Sequence, residues 1–268
     1  FFLSSSITMS IISKDKNIPL ICRGHSRLVS YLEHSQVFKG DACYLLSACV
    51  DGEAHLRNAK TGDWIGTFSG HKGALWSAKF NQNANLVITA SADYTAKLWD
   101  GITGENKATF QHNKMVKDIV FSPDESKVIS GGHEKYLRLW DVKRPETEIM
   151  SFPQQHSPIN NIVWNSLHNV IVTSSLTEGK MYSWDPRSRE MVNEYTIDGE
   201  EPTTKMIKTP DDALIILTTK SRVLFWNAKK MSVLMDFKIP CEVSSASLHP
   251  SGDKFVVGSR DFAVYVYS

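Results

Sequence analysis

Three observations predict an all-β fold made from copies of one unit. First, the stretch from Gly70-His71 to Trp99-Asp100 holds three short apolar runs, Ala74 to Phe80, Leu86 to Ala90 and Ala96 to Trp99. Asn81-Gln82-Asn83 and Ala92-Asp93-Tyr94 separate them, and short β-forming runs between turn residues read as strands. Second, the Trp99 position recurs as Arg57, Trp99, Trp140, Trp184, Trp226 and Tyr267, at intervals of 42, 41, 44, 42 and 41 residues. Third, fixed polar positions keep the same step. Six residues before each mark stand Asp51, Asp93, Glu134, Glu178, Lys220 and Asp261, and four before those Ser47, Thr89, Ser130, Ser174, Ile216 and Val257. A period of roughly 40–45 residues with a G-H start and a W-D end predicts a WD-repeat β-propeller, here with six repeats.

Taken in order, residues 1–17 are expected to form a disordered tail. The apolar start Phe1-Phe2-Leu3 is broken by Ser4-Ser5-Ser6, so it does not read as a signal peptide, and Met9 is a candidate natural start. The repeats are expected at about 18–60, 61–102, 103–143, 144–187, 188–229 and 230–268. Ile18 to Cys22 reads as a strand that completes the last blade. Asp63 to Phe68 reads as the outer strand before Gly70-His71. Trp64 on that strand is expected to pack between blades, with a partner-binding anchor as the alternative. Phe121-Ser122-Pro123-Asp124 marks a strand end and turn. Trp184-Asp185-Pro186-Arg187 is a turn in which Arg187 also fits the W-D-x-R box of cullin-RING ligase substrate receptors. Ile197 to Thr204 replaces a G-H loop and reads as a solvated acidic loop, and repeat five as a degenerate repeat. Two closures are open at the last strand, Val264 to Tyr267. Either it pairs with Ile18 to Cys22 in a six-bladed ring, or the blades keep a seven-bladed step and leave a gap; the gap is the expectation, with poor solubility as its consequence.

The repeated polar residues predict hydrogen-bonded sets within blades. A buried indole N–H needs an acceptor, which a Ser or Thr hydroxyl supplies, passing a bond to His and then to a carboxylate. The expected sets are His71/Thr89/Asp93/Trp99, His112/Ser130/Glu134/Trp140 and His156/Ser174/Glu178/Trp184. Repeat one has His25/Ser47/Asp51 with Arg57 in the Trp place, and repeats five and six lack the set. Ser, His and Asp together also fit a hydrolase triad, but a trio that recurs four times at the blade period fits a structural role and not an active site. Arg57 is expected to reach the blade edge or pair with a carboxylate, with only its stem packed, and it joins Trp64 and Arg187 as a candidate partner contact.

Composition narrows the function classes. Of 268 residues 41% are hydrophobic, and 30 basic residues face 29 acidic ones for a net charge of +1. That balance gives no bulk attraction to nucleic acid or anionic membrane. No apolar run is long enough to span a bilayer as a helix. Cys22, Cys43, Cys49 and Cys241 show no C-x-x-C spacing and no metal-ligand spacing with the nine histidines, so buried reduced thiols and no metal or cofactor are expected. The absence of any N-x-S/T acceptor agrees with a chain that is not secreted.

Thr61 to Phe68 followed by Gly70-His71-Lys72-Gly73-Ala74, then Ala92 to Asp100 and Ser245 to Pro250, resemble the serine/threonine kinase receptor-associated (UNRIP) family of WD-repeat proteins. Arg57 in place of the first Trp is a departure this family shares. Subunit i of translation initiation factor 3 has the same repeat plan. The resemblance implies a seven-bladed, non-enzymatic scaffold in cytoplasm and nucleus. Its implied partners are the SMN complex of snRNP assembly, Unr, and the TGF-β receptor and Smad proteins, with a role in mRNA splicing and processing.

Overall fold

The computed structural model describes residues 22–35, 43–145, 148–209, 211–227, 230, 232–249, 251–252 and 254–267. The expected tail 1–17 lies outside them, as does the expected strand Ile18 to Cys22 except for Cys22 itself, which is exposed and not in a strand. The described chain forms two compact units, one ending at Trp164 and one beginning at Asn165.

In the first unit the strands are β1 (Val29–His34), β2 (Tyr44–Cys49), β3 (Ala54–Asn58), β4 (Trp64–Phe68), β5 (Leu75–Phe80), β6 (Leu86–Ser91), β7 (Thr95–Asp100) and β8 (Asn106–Gln111). Then come β9 (Val116–Phe121), β10 (Lys127–Gly132), β11 (Arg138–Asp141), β12 (Glu148–Ser151) and β13 (Ile159–Asn165). β1 to β4, β5 to β8 and β9 to β12 each form an antiparallel sheet in chain order. The second unit continues with β14 (Val170–Ser175), β15 (Lys180–Trp184), β16 (Met191–Thr196), β17 (Lys205–Lys208), β18 (Leu214–Thr218), β19 (Arg222–Asn227), β20 (Ser232–Lys238), β21 (Val243–Leu248), β22 (Phe255–Ser259) and β23 (Val264–Tyr267). These too pair antiparallel in chain order, as β14 to β16, β17 to β20 and β21 to β23. No described segment is helical. The fold class is that of a WD-repeat β-propeller.

The sheets are held by apolar side chains between successive sheets. Trp99 lies with Leu46, Leu56 and Phe68 of the preceding sheet, and Trp140 with Ile88, Leu98 and Phe110. In the second unit Ile216 and Val223 pack with Val243, Phe255 and Tyr267, whose ring stacks on Phe255 at 4.8 Å. Outer strands carry the opposite pattern: β16 reads exposed at five of six positions.

Two local devices recur. The turns after β5, β9, β13, β17 and β21 each hold one residue in the left-handed region, namely Ala84, Glu125, Asn169, Asp212 and Gly252, with φ of 48°, 56°, 48°, 55° and 77°. Two of these carry an acid that reaches the preceding blade's turn. Glu125 accepts from Asn81 Nδ2 (2.9 Å) and Gln82 N–H (2.5 Å), and Asp212 accepts from Ser166 N–H (3.0 Å). The second device is a bulge near the start of an inner strand, where Ser30, Trp76, Lys117 and Ser244 fall between paired residues. A bulge re-aims the side chain it carries.

Candidate functional site

In the second sheet, Trp99 Nε1–H donates to Thr89 Oγ1 (2.8 Å), Thr89 stands 2.7 Å from His71 Nε2, and His71 Nδ1 is 2.8 Å from Asp93. The hydroxyl that accepts from the indole donates to Nε2, which leaves Nδ1–H for the carboxylate. Asp93 also accepts from Lys72 N–H and Thr95 Oγ1–H. Burial opposes its charge, yet hydrogen bonds from Thr95, Lys72 and His71 hold its pKa at about 2. Burial pushes the His71 pKa below the ordinary value, against the pull of Asp93. Gly73 allows this closeness, since a Cβ there would stand 2.8 Å from Asp93 N.

The third sheet repeats the arrangement. Trp140 Nε1–H donates to Ser130 (2.8 Å), Ser130 meets His112 Nε2 (2.9 Å), and His112 Nδ1 is 3.4 Å from Glu134. The first sheet brings His25 to Ser47 (2.8 Å) and to Asp51 (3.3 Å). One residue the sequence reading missed is Arg138, which grips Glu134 through Nε (2.7 Å) and Nη2 (3.1 Å). Its four-residue spacing from Glu134, across the turn between β10 and β11, was the available signal.

The fourth set is not as expected. Trp184 Nε1–H donates to Thr173 (3.0 Å), eleven residues back rather than ten, so Ser174 is not its acceptor. The register gives the reason. The hydroxyl stands two residues after the indole's cross-strand partner: Val87 opposite Trp99, Val128 opposite Trp140 and Ile171 opposite Trp184. An added residue in the turn before β15 moves every upstream position by one. His156 is exposed, while Gln155 stands at the His spacing, 18 residues before Thr173. Glu178 does not sit at the acid position; its N–H and that of Thr177 bond to Ser175 Oγ instead.

The same rule corrects repeat five. Ile215 lies opposite Trp226, so Leu217, not Ile216, occupies the acceptor position. Trp226 Nε1–H therefore finds no acceptor among the described residues. Beside it is a cavity of about 20 Å³ lined by Val172, Met181, Asn193, Tyr195 and Trp226. Glu201, expected to be solvated, accepts from Thr219 (2.7 Å) and Ser221 (2.8 Å), so an acid pinned from the preceding loop stands in for the missing set.

Arg57 corrects another expectation. It is 4% exposed, so it is not an edge residue or a partner contact. Its guanidinium donates to the carbonyls of Arg23 and Gly62 and to His55 Nδ1, and His55 stacks on His25 at 3.9 Å. Backbone carbonyls, with no carboxylate among them, satisfy the buried cation. Trp64 is 60% exposed and does not pack between blades; its Nε1–H bonds within its own strand to Thr67 (3.1 Å). Arg187 is exposed in the turn after β15.

The cysteines also depart from expectation. Only Cys49 is buried; Cys22 is exposed, and Cys43 and Cys241 are intermediate. The spacing argument against a metal cluster missed that His25, Cys49 and Asp51 place ligand atoms within 4.8 Å of one another. The arrangement fits the blade better than a metal. Cys49 stands where Ser91 stands in the next sheet, donating to Arg27 O (3.3 Å) and accepting from Asp51 N–H (3.4 Å). Burial pushes its thiol pKa up, away from the thiolate a metal needs.

A Ser or Thr hydroxyl, His and acid thus meet in three sheets, each time with the hydroxyl spent on His and, in two, on an indole. The WD domain, G-beta repeat model matches residues 62–100, 104–141 and 233–268. Over 249 residues the chain is 40% identical to the serine-threonine kinase receptor-associated protein of Dictyostelium discoideum, covering 93% of this chain and 84% of that protein. The chain belongs to the serine-threonine kinase receptor-associated protein family. The human member is 34% identical over 94% of this chain and 71% of its own length. Eukaryotic translation initiation factor 3 subunit I of Bombyx mori is 25% identical over 92% and 77%. The repeat model leaves unmatched the first three strands of sheets one and five and all of sheet four, where Arg57, Leu217 and the added turn residue depart from the pattern. The receptor-associated protein match, at 93% of the chain, reaches well beyond the three repeats it marks.

Proposed function

We propose that this protein is a non-catalytic WD-repeat scaffold whose ligands are other proteins. Membership of the serine-threonine kinase receptor-associated protein family carries this reading. The geometry supports it, because the groups that could have formed a triad are committed to structural bonds within the blades. Exposed apolar residues on outer strands, among them Trp64, Ile65, Met191 and Val192, offer contact points, and exposed aromatics are enriched among binding hot spots.

In its finer form the proposal places the scaffold in cytoplasm and nucleus, with SMN-complex components, Unr and receptor or Smad proteins as partners, serving snRNP assembly and mRNA processing. Association with translation initiation factor 3 is the second reading, favoured by the subunit I match. A cullin adaptor bound through Arg187 is a third. Affinity purification from cells separates them by which set co-elutes, and a Trp64→Ser variant tests the outer strand. Failure of any protein to co-elute at stoichiometric yield refutes the scaffold.

A further inference from the structure

The inner-strand bulges of the second and third sheets carry Trp76 and Lys117 at the same relative position. The other two bulge residues are self-contained: Ser30 bonds to the carbonyls of Leu75 and Ala48, and Ser244 to Gly258 O. Trp76 and Lys117 instead meet each other. The ammonium lies over the indole, 3.6 Å from the ring centroid. Neither finds a polar partner among the described residues. Trp76 Nε1–H is buried with no acceptor, and Lys117 Nζ forms no ion pair.

The nearest acid, Asp118, is already engaged. It accepts from Ser77 Oγ–H (2.7 Å), Lys79 Nζ (2.8 Å) and Ile162 N–H (2.7 Å). Around the pair the charge is positive. Burial lowers the His133 pKa, and the charges of Lys117 and Lys114 lower it further. Burial likewise lowers the Lys117 pKa. A partly desolvated ammonium, an unmet indole N–H and a second lysine are donors without an acceptor.

We propose that Trp76 and Lys117 form a carboxylate-binding point, which takes an Asp or Glu side chain of an acidic segment in a partner protein. The proposal deepens the scaffold reading and rests on it. The ammonium pairs with one carboxylate oxygen. The flexible lysine stem turns toward that anion and uncovers the indole rim, whose N–H donates to the other oxygen. Lys114, which shares with Lys117 an electrostatic influence on His133, supplies a second charge nearby. A nucleic-acid face needs a track of cations along the backbone, whereas this point offers two.

The test uses a fluorescein-labelled, Glu-rich decapeptide and the full chain, read by fluorescence anisotropy. Lys117→Met keeps the stem over the ring and removes the charge; affinity falls about tenfold or more, the size of a charge-assisted hydrogen bond. Trp76→Phe keeps a ring and removes the donor; affinity falls about three- to tenfold, as for a neutral hydrogen bond. Lys143→Met removes the same charge at the other end of the third sheet and changes affinity less than about twofold, as expected for a distant, screened charge. Circular dichroism and urea midpoints confirm that each variant is folded. Equal losses from Lys117→Met and Lys143→Met, no loss from Trp76→Phe, or no binding by the unaltered chain each overturn the site. An oligouridylate that binds with the same dependence on Lys117 overturns the peptide assignment. Capture of partner proteins that is unchanged by Lys117→Met sinks this site alone, whereas loss of all capture by the unaltered chain sinks the scaffold.

Discussion

At the scale of the residue, what a buried indole needs decides most of the departures from pattern. Asp93→Ala takes away the acceptor of His71 Nδ1, Lys72 N–H and Thr95, and destabilises the protein by roughly 1–3 kcal/mol. Trp99→Ala opens a cavity under the preceding sheet and costs about 3–5 kcal/mol. Urea midpoints check both, and unchanged midpoints would return the set to the list of candidate active sites. Leu217 gives a sharper test. In an ordinary core, Val is better tolerated than its isostere Thr, because the hydroxyl is buried without need. Two residues after the cross-strand partner of Trp226 the order is expected to invert, with Leu217→Thr more stable than Leu217→Val by about 1 kcal/mol, because the hydroxyl meets the waiting N–H.

At the scale of the element, inner strands are stitched by side chains that reach main-chain groups of neighbouring sheets. Glu33 accepts from Phe80 N–H (2.8 Å), and Asp118 links β5, β9 and β13. Asp118→Ala strands Lys79 and three further donors in a buried place, and is expected to cost about 3–5 kcal/mol in urea unfolding. Such links were not legible in the sequence, since several of their donors are main-chain N–H groups, which no side-chain pattern reveals. Strand existence was legible. The runs chosen around Asn81 and Asp93 match β5, β6 and β7 to within a residue, because β-forming residues between turn formers report local geometry. The sets of the second and third sheets could be read because their spacing is undisturbed. The fourth could not, because one added turn residue moves the hydroxyl while leaving the Trp-based ruler intact. Arg57 was misplaced for a different reason: its acceptors are main-chain carbonyls, which no side-chain pattern reveals.

At the scale of the whole molecule, the titrating groups of the sets act in one direction. Asp51, Asp93 and Glu134 are held at about 2, below their unfolded values, so the stability they contribute is present above those values and is lost as pH falls toward 2. Buried His71 and His112 also have lowered pKa values, so they too stabilise at neutral pH and oppose folding once acid forces their charge. The urea midpoint is therefore expected to fall steadily from pH 7 to pH 3. Asp93→Asn should flatten the acid end of that profile, and an unchanged slope would show that these carboxylates are not coupled to folding. The unmet donor of Trp226 has a consequence in time as well as in energy. A sheet whose indole is untethered and whose flank holds a void opens more often than its neighbours, as fluctuations collect where closing contacts are fewest. In native-state amide exchange, β18 and β19 should trade their protons before β6 and β7 do, and this fifth sheet is where the molecule breathes.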